Sequence, residues 1–599
     1  SVSVAAASDV YALGFSGAVA IGGSVGGGAG VNAMIVNTTT KATVGGGTSD
    51  ISAMDDILVS AKATEDFGIW AIAGSGGGVA AIAGSGSALD LTTETTATLG
   101  GKAVAQGNVD VLAQDITRTG MMAGSVAIGG TAGVGAAVGV ILVDKTVTAS
   151  IASSADVSAY GGNGTRDVFN GSGFGAKTAS RGLNVQAESE QSALALVVSG
   201  AGGLYAGIAG VLSLDLVTVK TAAFIGANSK INVANGSGHA AQDVVIAARD
   251  STTSSVAAGA VSGGLVGLSG AIDVGVFKTT TAGYVEDGVS INAKNDVLIS
   301  GLSNKAGDSK VVSGSGGIFA LAVGLSVYSY GDGVASGGEA DKQLSDSSDG
   351  AADMDKVNTQ AQDQAKNDVV FDLLKSSDDD RVKAINASAK AKRDTIDVAS
   401  AASTLAVPGG TSASVGNVLI NAGGDVSLNS SDELEVDITT GGFAIGGGAV
   451  GAGIAVLNVN TGSTAQAVGT GANVHGTLPR ITAGGGVNIN AFSSHMLTGD
   501  SYAGTIAGTV ALSADVIVVN DTSRTKAFAD GQKMTVGGLV NVGGDAKRTA
   551  KLKGFGAAVS LFGVGAGASV ATATIGGAID AYIKNSDIGA GAVTVSASS

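Results

Sequence analysis

With 599 residues, the chain is too long for one compact core and must be either several domains or one repeat array. Its 98 glycines, 2 prolines, 45% apolar and 14% charged residues exclude disorder, which lacks apolar residues, and collagen, which needs glycine at every third position with abundant proline. Fifty acidic against 33 basic side chains give a net charge of −17, which repels nucleic acid and anionic membranes, and the absence of cysteine removes disulfides and thiolate metal sites.

Along the chain, short alternating segments of the form V-x-V/I-x-A recur. They stand at Val2-x-Val4, Ile57-x-Val59-x-Ala61, Val109-x-Val111-x-Ala113, Leu183-x-Val185-x-Ala187, Val244-x-Ile246-x-Ala248 and Val297-x-Ile299. They return at Val418-x-Ile420-x-Ala422, Val487-x-Ile489-x-Ala491, Val540-x-Val542 and Val593-x-Val595-x-Ala597. The shortest spacing is about 52 residues, which makes roughly nine units. Alternation with period two reads as strands that bury one face, and Val, Ile and Ala on that face suit a narrow parallel stack. A more apolar block follows in each unit, as in Gly17 to Val36, Gly124 to Val143, Gly441 to Val459 and Phe555 to Ala573, and then Thr-rich pieces such as Thr38 to Gly45, Thr95 to Gly101, Thr146 to Ile151 and Thr221 to Gly226. Several strands per unit, joined by Gly, Asn and Asp, predict more than one solenoid coil per unit.

The Gly124 to Val143 block runs about 20 residues without charge until its end, the length of a membrane-spanning helix. Glycine is too poor a helix former for that, and no Lys/Arg asymmetry marks alternate loops, so the chain is not expected to span a membrane. Buried strands are expected instead, with Trp70 and Ile128 in the core and a second sheet or neighbouring coil covering the doubly apolar strands. The array is read as residues 1–335 and 410–599. Between them, 336–409 is charged, and Val357, Ala361, Ala365, Val369 and Leu373, then Val382, Ile385, Ala389 and Ile396, predict an inserted helical hairpin. The array begins and stops in the same phase without a polar capping unit, as expected of an excerpt from a longer repeat.

Candidate chemistry is sparse. His239, His475 and His495 fall in different units, and no HExxH, GxSxG or cysteine-based metal pattern accompanies them, so no catalytic residue and no enzyme activity is expected. Asp55-Asp56 and Asp378-Asp379-Asp380 offer the oxygen donors that calcium takes, but without an EF-hand or nonapeptide repeat they read as turn and cap acids. No cofactor, metal or cofactor-binding residue is assigned.

The V-x-V-x-A strands, the AIGG and GVGAAV blocks and the T-x-A-x-I segments resemble the repeat regions of giant bacterial filamentous adhesins, of the filamentous-haemagglutinin-like and leukotoxin types exported by type V or two-partner secretion. The resemblance covers nearly all of the chain outside 336–409 and transfers no individual functional residue. It implies an elongated, right-handed parallel β-helix at the bacterial outer cell surface. The expected role is structural: a stalk or filament for adhesion, cell-cell contact or matrix. Expected partners are further copies, end to end or laterally, and a host-cell, neighbouring-cell or polysaccharide ligand. The alternative is a β-helix that binds or cleaves polysaccharide.

Overall fold

The computed structural model describes residues 1–45, 49–234, 238–331 and 405–599. Among these the protein is all-β, a parallel β-solenoid, and no helix occurs. The helical hairpin expected within 336–409 falls on residues outside that description, save 405–409.

Each repeat unit is one coil, not several, which corrects the expectation of more than one coil per unit. In the first coil an outgoing strand, Val2–Gly22, turns at once into a return strand, Val25–Val44, and a short strand, Asp50–Ala53, closes the circuit. The second coil repeats the plan with Ile57–Gly77, Ala80–Leu99 and Lys102–Ala105. An outgoing strand of 21 residues is about 70 Å long at a rise of roughly 3.3 Å per residue. The sequence blocks do not mark separate strands: in the first and third coils the V-x-V segment and the start of the apolar block lie on the outgoing strand, and the rest of the block and the Thr-rich piece on the return strand. Glycines at Gly22-Gly23, Gly77-Gly78 and Gly129-Gly130 make the turn between the two, whereas Gly84 and Gly135 stay extended, paired to the coils on either side.

Register carries the repeat from coil to coil. Ile57 pairs with Val109, Val109 with Leu183, Leu183 with Val244 and Val244 with Val297. The described chain makes nine such coils and begins a tenth at Ala592–Ser598. In the sixth coil the return strand is in two pieces, and both keep register with the fifth. Phe277 pairs with Tyr330, and Thr281 with Thr411. Leu405, just before the second piece, is buried with Ala222, Ala282 and Tyr284.

Across one coil the interior changes character from base to tip. At the base, outgoing, return and short strands enclose a three-sided core of Val, Ile, Leu and Ala, including Val59, Val111, Leu99, Ile151 and Ile291. Further out, only the outgoing and return layers face each other, over Phe67, Ile69, Leu89, Leu91, Ile141, Phe277 and Tyr328. Towards the turn the core thins to alanine, as in Ala73, Ala81, Ala83 and Ala127. Glycine is required here: a Cβ on Gly28 would lie 2.4 Å from the Gly74 carbonyl oxygen, and one on Gly133 2.3 Å from that of Gly202. The layers approach so closely that the inward face admits no side chain at these positions.

Several of the turns that lead into outgoing strands are stapled by Asp or Asn side chains. Asp56 Oδ1 accepts the Asn108 N–H at 2.7 Å, Asn108 Oδ1 the Gly182 N–H at 2.8 Å, Asp296 Oδ1 the Asp425 N–H at 2.7 Å and Asp425 Oδ1 the Gly486 N–H at 2.6 Å. Each side chain satisfies a turn amide one coil onward, where no strand ladder reaches. Stacked asparagines add a further ladder: Asn490 Nδ2 donates to Asn429 at 3.1 Å, and Asn541 Nδ2 to Asn490 at 2.9 Å.

Candidate functional site

Two features stand apart from this plan: ionisable groups sealed inside the solenoid, and apolar faces turned outward.

The interior groups form clusters between the two layers. In coils two to four, Lys145 Nζ lies 2.6 Å from Asp115 Oδ1 and donates to the Thr117 hydroxyl at 3.1 Å and the Glu190 carbonyl at 2.9 Å. Thr93 and Thr95 donate to Asp115 Oδ2 at 2.7 and 2.8 Å. Burial would raise the Asp115 carboxyl, but the Lys145 ammonium outweighs it and holds Asp115 below its ordinary value. Glu65, beside it, is raised by burial and by the Asp115 charge.

In coils four to six, Asp215 and Asp273 have no cation beside them. Ser254 donates to Asp215 at 2.9 Å, and Ser309 donates to Asp273 at 2.5 Å. Burial, aided by the neighbouring Asp273 charge, pushes Asp215 up to about 7, and burial pushes Asp273 up to about 6. An uncompensated carboxylate is costly in such surroundings, so both acids keep their protons to higher pH than an exposed aspartate does.

The third cluster holds the one histidine that meets carboxylates. His495 Nδ1 lies 2.8 Å from Asp521 Oδ2, and Nε2 lies 3.4 Å from Asp432 Oδ2. Asp432 also pairs with Lys305 and accepts from Thr411 at 2.9 Å and Thr461 at 2.6 Å. Burial would lower His495 and raise both acids. The hydrogen bonds and opposite charges prevail, so His495 is raised while Asp432 and Asp521 are lowered. Separation of the three histidines among units had argued against such convergence. His495 nevertheless gathers its acids because Asp521, 26 residues on, faces it from the return layer of the same coil, and Asp432, 63 residues back, stands on the outgoing layer of the coil before. Inward alternation in His495, Asp521 and Asp432 was the available signal. All three side chains are fully buried, so the arrangement neutralises charge within the fold and presents no group to an outside substrate.

The other histidines lie apart: His239 Nδ1 accepts the Ala241 N–H, and His475 occupies a turn with φ 45°. Among the described residues, no cluster of three or more His, Cys, Asp or Glu side chains is arranged to hold a metal ion. Asp56 is engaged by Arg166 at 2.7 Å and Asn163 at 3.2 Å as well as by the Asn108 amide, and Asp55 lies 3.5 Å from the N-terminal amine. Asp378 to Asp380 lie outside the described residues.

The outer faces are the second feature. On the return strands, the five outward positions nearest the tip are uncharged in every coil and apolar except for Thr572, from Val25 to Ala33 in the first coil through Val266 to Val274 in the fifth. On the outgoing strands, Trp70 is 42% exposed and Ile128 64% exposed. Both were expected inside. Their strand positions are outward, and among the described residues no second sheet covers that side; there the doubly apolar strands have a partner layer on the inner face alone. Single exposed apolar residues need no explanation, but contiguous faces exceeding a few hundred Å² do. Among the described residues no helix is long and apolar enough to cross a membrane.

No family model, curated protein or solved structure matches this chain.

Proposed function

We propose that the chain is a shaft segment of a bacterial extracellular fibre, a stalk or filament at the outer cell surface that holds cells or matrix together. The observation that carries this reading is the continuous register from the first coil to the tenth, by which each coil presents its edge as the template for the next. Main-chain ladders along such a stack resist extension without any chemistry at the surface. The sealing of the charged clusters inside supports a mechanical role, since the ionisable groups with the largest shifts are those least accessible to a substrate. Export, surface location and adhesion follow the filamentous-adhesin resemblance and are part of the same proposal.

Electron microscopy of the native cell surface with an antibody against this segment tests it. Labelled fibres or rods are expected, with an axial advance of about 4.8 Å per coil. Fibres much longer than one chain mean a polymer, and finite rods mean a stalk. Label confined to the cell interior, or to compact particles, overturns the proposal.

A further inference from the structure

The outward face of the outgoing strands carries a pattern that the chain's own packing does not require. In one column, coils one to six present Val19, Gly74, Val126, Gly200, Val261 and Gly314. In the adjacent column, two residues nearer the base, the same coils present Gly17, Ile72, Gly124, Val198, Gly259 and Val312. Bulky and empty positions alternate along each column, and the two columns are out of phase. The result is a checkerboard of branched knobs and glycine holes.

The holes are open. A Cβ on Gly74 would lie 3.5 Å from Val19 Cγ2, one on Gly124 3.7 Å from Val198 Cγ2, and one on Gly200 3.8 Å from Val126 Cγ2, all ordinary contact distances. This contrasts with Gly28 and Gly133 on the inner side, where a Cβ would strike a carbonyl. Parallel ladders also accept Val above Val, so the solenoid itself has no need for glycine in every second coil. The knobs are exposed: 53% for Val126, 40% for Val198 and 63% for Val261.

From these facts we infer that this face docks onto the same face of a second copy of the chain, with the knobs of each seated in the holes of the other. A two-fold axis lying in the sheet plane maps a checkerboard onto a checkerboard, and a slip of one coil, about 4.8 Å, places every knob over a hole. Such interdigitation is the geometry of a dry sheet-to-sheet interface. A lipid phase is the other apolar occupant, but liquid hydrocarbon has no lattice and rewards apolar area whether or not it alternates. The two columns over six coils span roughly 13 Å by 29 Å, about 400 Å², half of the about 800 Å² per partner in a standard stable interface, so the contact is a weak one that repeats along stacked copies. The inference rests on the fibre proposal for its biological setting and names the lateral contact within it.

The test is sedimentation of the full chain and of Gly124→Ile/Gly200→Ile, with Gly210→Ile as the control. Gly210 is outward on the return strand, and a Cβ there meets nothing within 4 Å. Filling two holes adds apolar area, so association with lipid or by unspecific hydrophobic contact would hold or strengthen. Interlocking predicts the reverse: a dimerisation constant weakened at least tenfold, with circular dichroism and the Gly210→Ile dimer unchanged. A chain that stays monomeric at high concentration, a hole-filled variant that associates as well as the parent, or flotation of the parent with phosphatidylcholine/phosphatidylglycerol vesicles in place of dimers would each overturn it. Electron microscopy separates the two ideas: single unpaired filaments of the hole-filled variant support the lateral contact and leave the fibre standing. Absence of any fibre from the parent cell surface strikes the fibre proposal alone.

Discussion

His495 and Asp521 face each other inside the solenoid with Nδ1 and Oδ2 2.8 Å apart, and Asp432 closes the other side of the ring at 3.4 Å. The two acids hold His495 above its ordinary value. A raised folded-state value means that the native state binds the proton more tightly. The stability it contributes is complete below the unfolded value of about 6.5 and is lost as pH rises through the folded one. Hydrogen exchange in coils seven to nine is therefore expected to accelerate as pH, corrected for intrinsic exchange, rises beyond the folded value. His495→Gln leaves buried acids less compensated and is expected to cost about 3–5 kcal/mol locally and to abolish this pH dependence.

Asp215 and Asp273 act in a lower window. Their folded values, about 7 and about 6, lie above the ordinary carboxyl value, so the folded state holds more protons than the unfolded one. Their contribution is complete below about pH 4 and is lost as pH rises through 6 to 7. Asp215→Asn keeps a neutral polar group of the same size. At pH 8 it is expected to stabilise coils four and five, on the order of 2 kcal/mol, with no gain at pH 4. Local exchange protection at the two pH values measures the difference, and equal effects at both would refute the assignment.

Asp425 tests the turn staple. Asp425→Ala removes the acceptor of the Gly486 amide, leaving it to solvent. A loss of about 1 kcal/mol is expected, confined to the junction of coils seven and eight, because the lost bond is local and partly exposed. Limited proteolysis at that turn, compared with the parent, reads it.

Ile128 and Ile69 separate the two sides of the outgoing strand. Ile69 is fully buried and Ile128 is mostly exposed. Ile69→Asp buries an unpaired charge and is expected to unfold its coil, whereas Ile128→Asp is expected to change thermal stability of the isolated chain by less than about 0.5 kcal/mol. Thermal denaturation at a dilution that keeps the chain monomeric makes the comparison.

Glycine substitutions divide the same way. Gly133→Ala places a methyl 2.3 Å from a carbonyl oxygen and is expected to force the layers apart, while Gly210→Ala is expected to be neutral or slightly stabilising. Denaturation midpoints of the two variants give the contrast.

Residue order alone was enough for the solenoid and for the phase of most coils. The exception is Val418-x-Ile420-x-Ala422: aligned by its alternation with the outgoing strands, it holds the short closing strand Leu419–Ala422 of coil six, and the next outgoing strand starts at Val426. Strands that stack in register bury the same column in every coil, so apolar residues had to recur at Ile57, Val109, Leu183 and Val244, with Asp or Asn just before that column at Asp56, Asn108, Asp243, Asp296 and Asp425. The same local alternation could not say what lay across from a given face. Trp70, Ile128 and Phe67 all sit in apolar stretches, and which of them is covered depends on the single partner layer that the hairpin turn brings to the inner side. Likewise His495, Asp521 and Asp432 are apart in the chain: the turn within one coil brings Asp521 to His495, and the stacking of coils brings Asp432. The glycines show the division most clearly: in sequence Gly133 and Gly200 are indistinguishable, yet one admits no side chain because a second sheet lies against it, and the other faces an open hole.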